Sequence, residues 1–314
     1  MSKGNKLFVT HRDFAQTKNL CEIFDLNSEE IGNHGGQGTV HKIRNILKRA
    51  HLLRKFAYGK KIDIAISHNS YSHCIAAKSL GLRYLTIMDY EYQPANHINF
   101  RLANEVLVPF TFELRDVRRY GATSRKMVKY PGLKEEVYLS QFSYCKDFWK
   151  RNLSIVNTEN IVCAVRPPAT MAAYHNFENP LFYKLIKYLG KQKNTTIVLF
   201  PRTKEQKSKL EKKFPDFIYP DKAVDGAQLI ANSDLVISAG GTMNREAAVL
   251  GTPAYTVYAG KMGSVDKYLI KEGKIKHVDK TSDFPKIKLS KKNNKVKNVS
   301  RNVFEFIVDR ITRN

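Results

Sequence analysis

The chain has 314 residues, 42% hydrophobic and 26% charged, a balance that builds folded cores and excludes a disordered polymer. Its 53 Lys and Arg against 29 Asp and Glu leave a formal charge of +24, which calls for an anionic partner: a phosphorylated substrate, a nucleic acid or an acidic membrane surface. Cys21, Cys74, Cys145 and Cys163 are widely spaced without a Cys-x-x-Cys pair, which excludes a zinc ribbon or a disulfide framework as the organising principle.

Short β-branched runs at 7–10, 62–67, 84–88, 105–108, 161–165, 196–200, 235–238 and 254–258 read as strands. Between most of them apolar residues recur every three or four positions, as in Val40, Ile43, Ile46, Leu47, Ala50 and Leu53, the mark of amphipathic helices. Alternation of strand and helix predicts parallel sheets covered by helices on both faces, and the continuously apolar strands suit that burial. A polar stretch between Tyr138 and Asn160 is expected to separate two α/β units, 1–145 and 155–285. Beyond Asp283, Lys286, Lys288, Lys291, Lys292, Lys295, Lys297 and Arg301 follow without an acid and read as a solvated basic linker. Val299, Val303, Phe306, Ile307 and Ile311 then predict a last amphipathic helix, so that 286–314 holds a linker and a terminal helix. No run reaches the ~20 apolar residues that span a bilayer, and no secretory signal is visible. A cytoplasmic chain is expected, peripheral at most on the inner face of a membrane.

The most informative stretch is Ser238-Ala239-Gly240-Gly241-Thr242-Met243-Asn244-Arg245-Glu246, which follows an apolar strand and opens a helix that Gly251 and Pro253 end. Glycines at such a turn let a ligand approach the backbone. The free N–H groups and the positive end of the helix dipole then favour phosphate. Glu246 falls about one turn into the helix, where a carboxylate can accept from a ribose diol. A tight turn with glycines chosen for sterics and Gly251 as a C-cap accounts for the same residues without a ligand.

Gly-Gly-x-x-x-x-Glu-Ala-Ala-x-x-Gly-x-Pro in this place resembles the nucleotide-sugar site of GT-B glycosyltransferases, above all the N-acetylglucosaminyltransferase that completes lipid II. UDP-N-acetylglucosamine 2-epimerases have a related Ser-Gly-Gly segment. Met88-Asp89-Tyr90-Glu91-Tyr92-Gln93-Pro94-Ala95-Asn96, Tyr130-Pro131-Gly132-Leu133-Lys134-Glu135-Glu136 and Val165-Arg166-Pro167-Pro168-Ala169-Thr170-Met171 extend the likeness from about 7 to 273, where the chain resembles the DUF354 family. The resemblance implies an α/β fold with two Rossmann-like domains of GT-B type. It also implies that the N-terminal domain lacks its first strand and helix, because 7–10 reads like the second strand of that pattern. The implied activity is glycosyl transfer from a nucleotide sugar to a surface-polysaccharide or polyisoprenoid-linked precursor; a nucleotide-sugar 2-epimerase is the alternative. The nucleotide sugar, UDP-linked, is then substrate, with no cofactor.

In such a site Arg166, Thr170, Arg202, Gly240, Gly241, Thr242, Asn244 and Glu246 are expected to bind nucleotide and phosphate. Arg166-Pro167-Pro168 stands where many GT-B enzymes have a glycine-rich loop, and a guanidinium can chelate phosphate oxygens in two-pronged fashion. Arg202 either contacts the diphosphate or pairs with an acid, while Thr203 and Gln206 read as a capping box. His68, Asp89 and Glu91 follow strands at a sheet's carboxyl edge, where open α/β sheets bind ligands; with His175 they are the catalytic candidates. Asp89 and Glu91 serve equally well as acids at a helix entry. No metal-ligand spacing occurs.

His34-Gly35-Gly36-Gln37-Gly38 is like an anion-binding turn, although no strand is legible before it. The basic helix expected over 39–58 packs its stripe on its own sheet and leaves charges free to lean on a membrane. A polyanion-binding protein is the third reading, without any RNA-recognition signature, zinc finger or basic zipper to support it. Binding to anionic vesicles is expected to rest on the 286–297 lysines and to fade with salt.

Overall fold

The computed structural model describes residues 4–13, 17–33, 39–153, 156–168, 179–222, 224–293 and 296–313. In chain order its elements are β1 (Val9–Asp13), α1 (Thr17–Ile23), β2 (Ser28–Asn33), α2 (Thr39–Ala57), β3 (Ile64–Ser67), α3 (Tyr71–Ser79), β4 (Arg83–Ile87), α4 (Asn96–Leu102), β5 (Glu105–Pro109), α5 (Leu114–Val117), β6 (Met127–Tyr130), α6 (Lys134–Leu139) and α7 (Phe148–Asn152). There follow β7 (Ile161–Arg166), α8 (Pro180–Leu189), β8 (Thr195–Leu199), α9 (Lys204–Lys213), α10 (Gly226–Ala231), β9 (Leu235–Ser238), α11 (Thr242–Leu250), β10 (Ala254–Thr256), α12 (Ser264–Lys271), β11 (Lys276–His277) and α13 (Asn302–Thr312). The chain divides into two compact units, one of Met1–Met88, Ala95–Val108 and Glu113–Val128, the other of Asp89–Pro94, Pro109–Phe112 and Lys129–Asn314.

In the first unit the order β3-β4-β5-β6 forms one sheet, and β1 pairs with β2 in another. The pairings β1–β2, β3–β4 and β4–β5 are parallel. Strand β2, Ser-Glu-Glu-Ile-Gly-Asn, was not legible because Ile31 is its only buried side chain. It corrects the reading of 34–38: a strand does precede that segment, which itself lies outside the described residues. The carboxyl end of β3 is set by buried polar groups. Tyr84 donates to Asn99 Oδ1 at 2.6 Å and lies 2.7 Å from Ser67 Oγ, while Asn69 Nδ2 donates to Asn96 Oδ1 at 2.8 Å.

In the second unit five parallel strands run in the order β11-β10-β9-β7-β8. Val162–Val165 and all of β9 are buried, which is why these segments are continuously apolar. Phe182, Leu185, Ile186 and Leu189 of α8 fill one side of the core with Val165, Leu199 and Ile237. Asn179 opens that helix by accepting the Phe182 N–H at 3.0 Å, with Pro180 behind it. From β7 the chain steps to β8 on one side, then crosses to β9 on the other. That reversal opens a crevice at the carboxyl ends of β7 and β9, the switch point where open α/β sheets take ligands.

Two expectations change. The last crossing from the first unit to the second falls at Val128/Lys129, and the polar stretch between Tyr138 and Asn160 lies within the second unit. Gln228 of α10 holds it down, accepting from Cys145 N at 2.9 Å and donating to Ser143 O at 2.6 Å, and Trp149 Nε1 donates to Asn232 O at 2.8 Å. Nor is the basic segment simply solvated. Lys291 Nζ donates to Asp234 Oδ2 at 2.8 Å and Lys292 N to Asp234 Oδ1 at 2.7 Å, while Asp234 Oδ2 also takes the Val162 N–H at 2.8 Å. Burial pushes the Lys292 ammonium down to about 8. The segment is a strap, and a lysine run in sequence carries no sign of which members find carboxylates.

Candidate functional site

Three loops meet the carboxyl edge of the second sheet. Arg166 ends β7 in register with Ser238, the end of β9, and Ala239 N donates to Arg166 O at 3.1 Å. Arg202, just past β8, reaches across: its Nε donates to Pro167 O at 3.3 Å, and its Nη2 lies 3.0 Å from where a Cβ on Gly240 would stand. A side chain at Gly240 would therefore push Arg202 aside. Gly241 is constrained alike, since a Cβ there would meet Arg245 Nη2 at 3.2 Å. Asn244 turns inward, its buried Nδ2 donating to Gly240 O at 3.0 Å and Ser238 O at 3.3 Å. It shapes the turn instead of offering its amide nitrogen outward. Thr242 is exposed at the first position of α11. Thr203 Oγ1 accepts Gln206 N at 3.1 Å, but Gln206 Oε1 accepts from Arg202 N at 2.8 Å; the capping residues thus fix the arginine's backbone.

The turn is cationic where α11 begins: two guanidinium-bearing loops flank glycines at a helix N-terminus, the arrangement that receives phosphate. Burial lowers the Arg166 pKa, with Glu246 as the opposing charge that keeps its proton on. Glu246 stands one turn into α11, its Oε1 accepting the Tyr138 hydroxyl at 2.7 Å. Burial pushes its carboxyl up to about 7, the Tyr138 bond opposing and Glu135 adding to the rise. In the window from the ordinary 4.5 to about 7 the folded chain binds more protons than the unfolded one, so stability falls as pH rises through it. Glu246→Gln cannot ionise. Urea titrations from pH 4 to pH 8 are expected to show the variant gaining on the unaltered chain as pH rises; the reverse trend would refute a carboxyl that its surroundings keep from ionising.

Behind α11 lies a buried ionic cluster. Arg245 grips Asp266 with both prongs, Nε to Oδ1 at 2.8 Å and Nη2 to Oδ2 at 2.7 Å, and gives Nη1 to Asp89 Oδ2 at 3.0 Å. Lys134 Nζ reaches the same Asp89 oxygen at 2.6 Å. Burial alone would depress the Lys134 ammonium, but Asp89 and Glu135 outweigh it and raise its pKa. Glu135 is fully buried 3.7 Å from Lys134 Nζ, and burial raises its carboxyl above the usual range. Glu91 Oε1 accepts Ser264 N at 2.7 Å, capping α12 where Gly263 leaves room for it.

The second unit thus gathers Asp89, Glu91, Arg166, Arg202, Gly240, Gly241, Thr242, Asn244 and Glu246. His68 sits exposed in the first unit after β3. Thr170 and His175 lie outside the described residues. Sequence reasoning missed Lys134, Glu135, Tyr138, Arg245 and Asp266 as members of the neighbourhood. Lys134, Glu135 and Arg245 stand inside the very segments that carry the family resemblance, and that was their signal. Among the described residues no three His, Cys, Asp or Glu side chains gather as metal ligands, and no helix is long and apolar enough to cross a membrane.

The family model described as "Protein of unknown function (DUF354)" matches residues 1–314. "Uncharacterized protein MJ0665" of Methanocaldococcus jannaschii is 28% identical over 283 residues, 88% of this chain and 81% of the relative. Among solved structures, M. jannaschii UDP-GlcNAc 2-epimerase with UDP-GlcNAc and UDP superposes with a TM-score of 0.69 at 16% identity, covering 94% of this chain and 88% of that one. The Neisseria meningitidis UDP-GlcNAc 2-epimerase bound to UDP-GlcNAc gives 0.70 at 13% identity, over 95% and 88%. Anabaena Alr3699/HepE in complex with UDP-glucose gives 0.57 at 14%, over 94% and 84%. At such identities the likeness is one of fold: α/β, with two Rossmann-like domains of GT-B type.

Proposed function

The chain belongs to the DUF354 family, and from that premise we propose that it binds a UDP-linked sugar at the carboxyl edge of its second sheet and cleaves the bond from sugar to diphosphate. The observation that carries this reading is the convergence of Arg166, Arg202 and the Gly240–Gly241 turn on the β7/β9 switch point, with Glu246 one turn beyond. In glycosyl transfer an acceptor hydroxyl bonds to C1 as the C1–oxygen bond breaks, the electron pair leaves on the diphosphate, and the hydroxyl's proton passes to water. The arginines and the first N–H groups of α11 stabilise that departing charge, while Glu246 accepts from the ribose hydroxyls. The nucleotide sugar is substrate, the reading calls for no separate cofactor, and the acceptor is a surface-polysaccharide or polyisoprenoid-linked precursor. Asp89, held by two cations, and Glu91, committed to α12, are positioning groups here and not the base.

A 2-epimerase is the second reading, favoured by the solved epimerases that share the fold. It turns over UDP-GlcNAc alone, whereas transfer needs an acceptor. Calorimetry with UDP-GlcNAc tests what the two share. Glu246→Ala is expected to lose one or two charge-assisted bonds at about 1.5–3 kcal/mol each, and unchanged affinity refutes the ribose role. Because an ionised carboxylate accepts more strongly than the neutral acid, affinity is expected to rise from pH 6 to pH 8 around a pKa of about 7. In Glu246→Gln that rise disappears. If a polyanion binds as well with the Gly240 turn blocked, the chain is a binder and not a nucleotide-sugar enzyme.

A further inference from the structure

Helix α2, Thr39–Ala57, has six Lys and Arg and no acid. Its apolar residues fall into two sets. Ala50 and Leu53 are buried, with Leu52 and Phe56 packed beside Leu53 against Ile31 and Ala76. Val40 and Leu47 point the other way, 77% and 54% exposed, followed by Tyr58 at 79%, and Ile43, 53% exposed, lies between the two sets. At about 100° per residue, Val40, Leu47, His51 and Tyr58 fall within roughly 20° of one line along the helix. Ile43 lies about 60° to one side, and Arg44, Lys55 and Lys48 roughly 40–80° to the other. One apolar face suffices to seat a helix on its own unit; a second, on the solvent side and rimmed by cations, gains only by burial elsewhere.

We infer that this face of α2 docks on an anionic lipid surface. The helix lies in the plane of the interface, with Val40, Ile43 and Leu47 at the boundary of headgroups and acyl chains and Arg44, Lys48 and Lys55 on the lipid phosphates. Charge selects this occupant. A second copy would set Arg44, Lys48 and Lys55 against the same three cations in a self-complementary contact. Nucleic-acid phosphates would match the cations and leave the aliphatic row in water. The 286–297 strap is the poorer candidate, because Lys291 and Lys292 are committed to Asp234. The inference does not depend on the nucleotide reading, and its test contains no nucleotide.

The full chain is sedimented with vesicles of phosphatidylglycerol and phosphatidylcholine and, separately, of phosphatidylcholine alone, at low and at high salt. Binding is expected on the anionic vesicles only. Ile43→Ser with Leu47→Ser is expected to weaken it about tenfold. Arg44→Gln with Lys48→Gln is expected to remove much of its salt dependence, and Lys286→Gln with Lys288→Gln to leave it unchanged. All these positions are exposed, so melting temperatures should hold; if the serine pair lowers them, Val40→Ser alone supplies the readout. The inference is overturned if the unaltered chain ignores anionic vesicles or if every variant binds equally. A dimer in light scattering that the serine pair dissociates would assign the face to a second copy. Binding to an RNA homopolymer that excludes vesicles and ignores the serine pair would assign it to nucleic acid.

Discussion

Replacing Arg245 with alanine is expected to destabilise the second unit by about 3–5 kcal/mol, the usual cost of stripping the partner from a buried charge. Asp266 would lose both of its bonds from this guanidinium and Asp89 one of its two cations. Neither carboxylate has ready access to water, since both are more than nine-tenths buried. Arg245→Lys should recover only part of the loss, because an ammonium cannot reproduce a planar fork against a carboxylate. With two units in the chain, a single two-state fit is unsafe. Denaturant melts are therefore to be followed by Trp149, which belongs to the second unit. A cost below about 1 kcal/mol would place the pair with exposed ion pairs and refute the buried cluster.

Arg166→Ala combined with Arg202→Ala is expected to weaken UDP-GlcNAc binding by roughly two to four decades, if each guanidinium contributes about 1.5–3 kcal/mol to the diphosphate. Arg202 approaches the glycine turn and Arg166 ends the strand beside it, so their effects should not simply add. Stability is a separate matter. Burial already lowers the Arg166 pKa, and removing that guanidinium leaves Glu246 with Lys134 but without its second opposing cation. The Glu246 carboxyl should then titrate still higher, which the single Arg166→Ala variant can report through the pH dependence of its unfolding. If the double variant binds UDP-GlcNAc as the unaltered chain does, the diphosphate does not sit at the β7/β9 crevice.

Much of the second unit was legible because its strands are buried on both faces. Ile161–Arg166, Thr195–Leu199 and Leu235–Ser238 read as apolar runs, and Ser238–Gly241 carries its own turn chemistry. Strands with little to bury stayed hidden: β2 around Ile31, the four residues of β6 and the two exposed residues of β11. Composition likewise could not tell which lysines of 286–297 are solvated. Lys291 and Lys292 find Asp234 only because the strap returns 57 and 58 residues later in the chain.

For the candidate site, residues and their types came from sequence: a glycine turn, two arginines after strands, and an acid one turn into a helix, each set by local spacing. Their relations came from the fold. Strand order places the ends of β7 and β9 side by side, so Arg166 and Ser238 are in register although 72 residues apart. Glu246 takes a hydroxyl from Tyr138, 108 residues away, and Arg245 spans 156 residues to Asp89. Local pattern determines secondary structure and turn chemistry because both depend on neighbours within one or two turns. Protonation states, ion-pair partners and the exposed half of the α2 stripe depend on which surfaces the folded chain removes from water, and that is decided only in three dimensions.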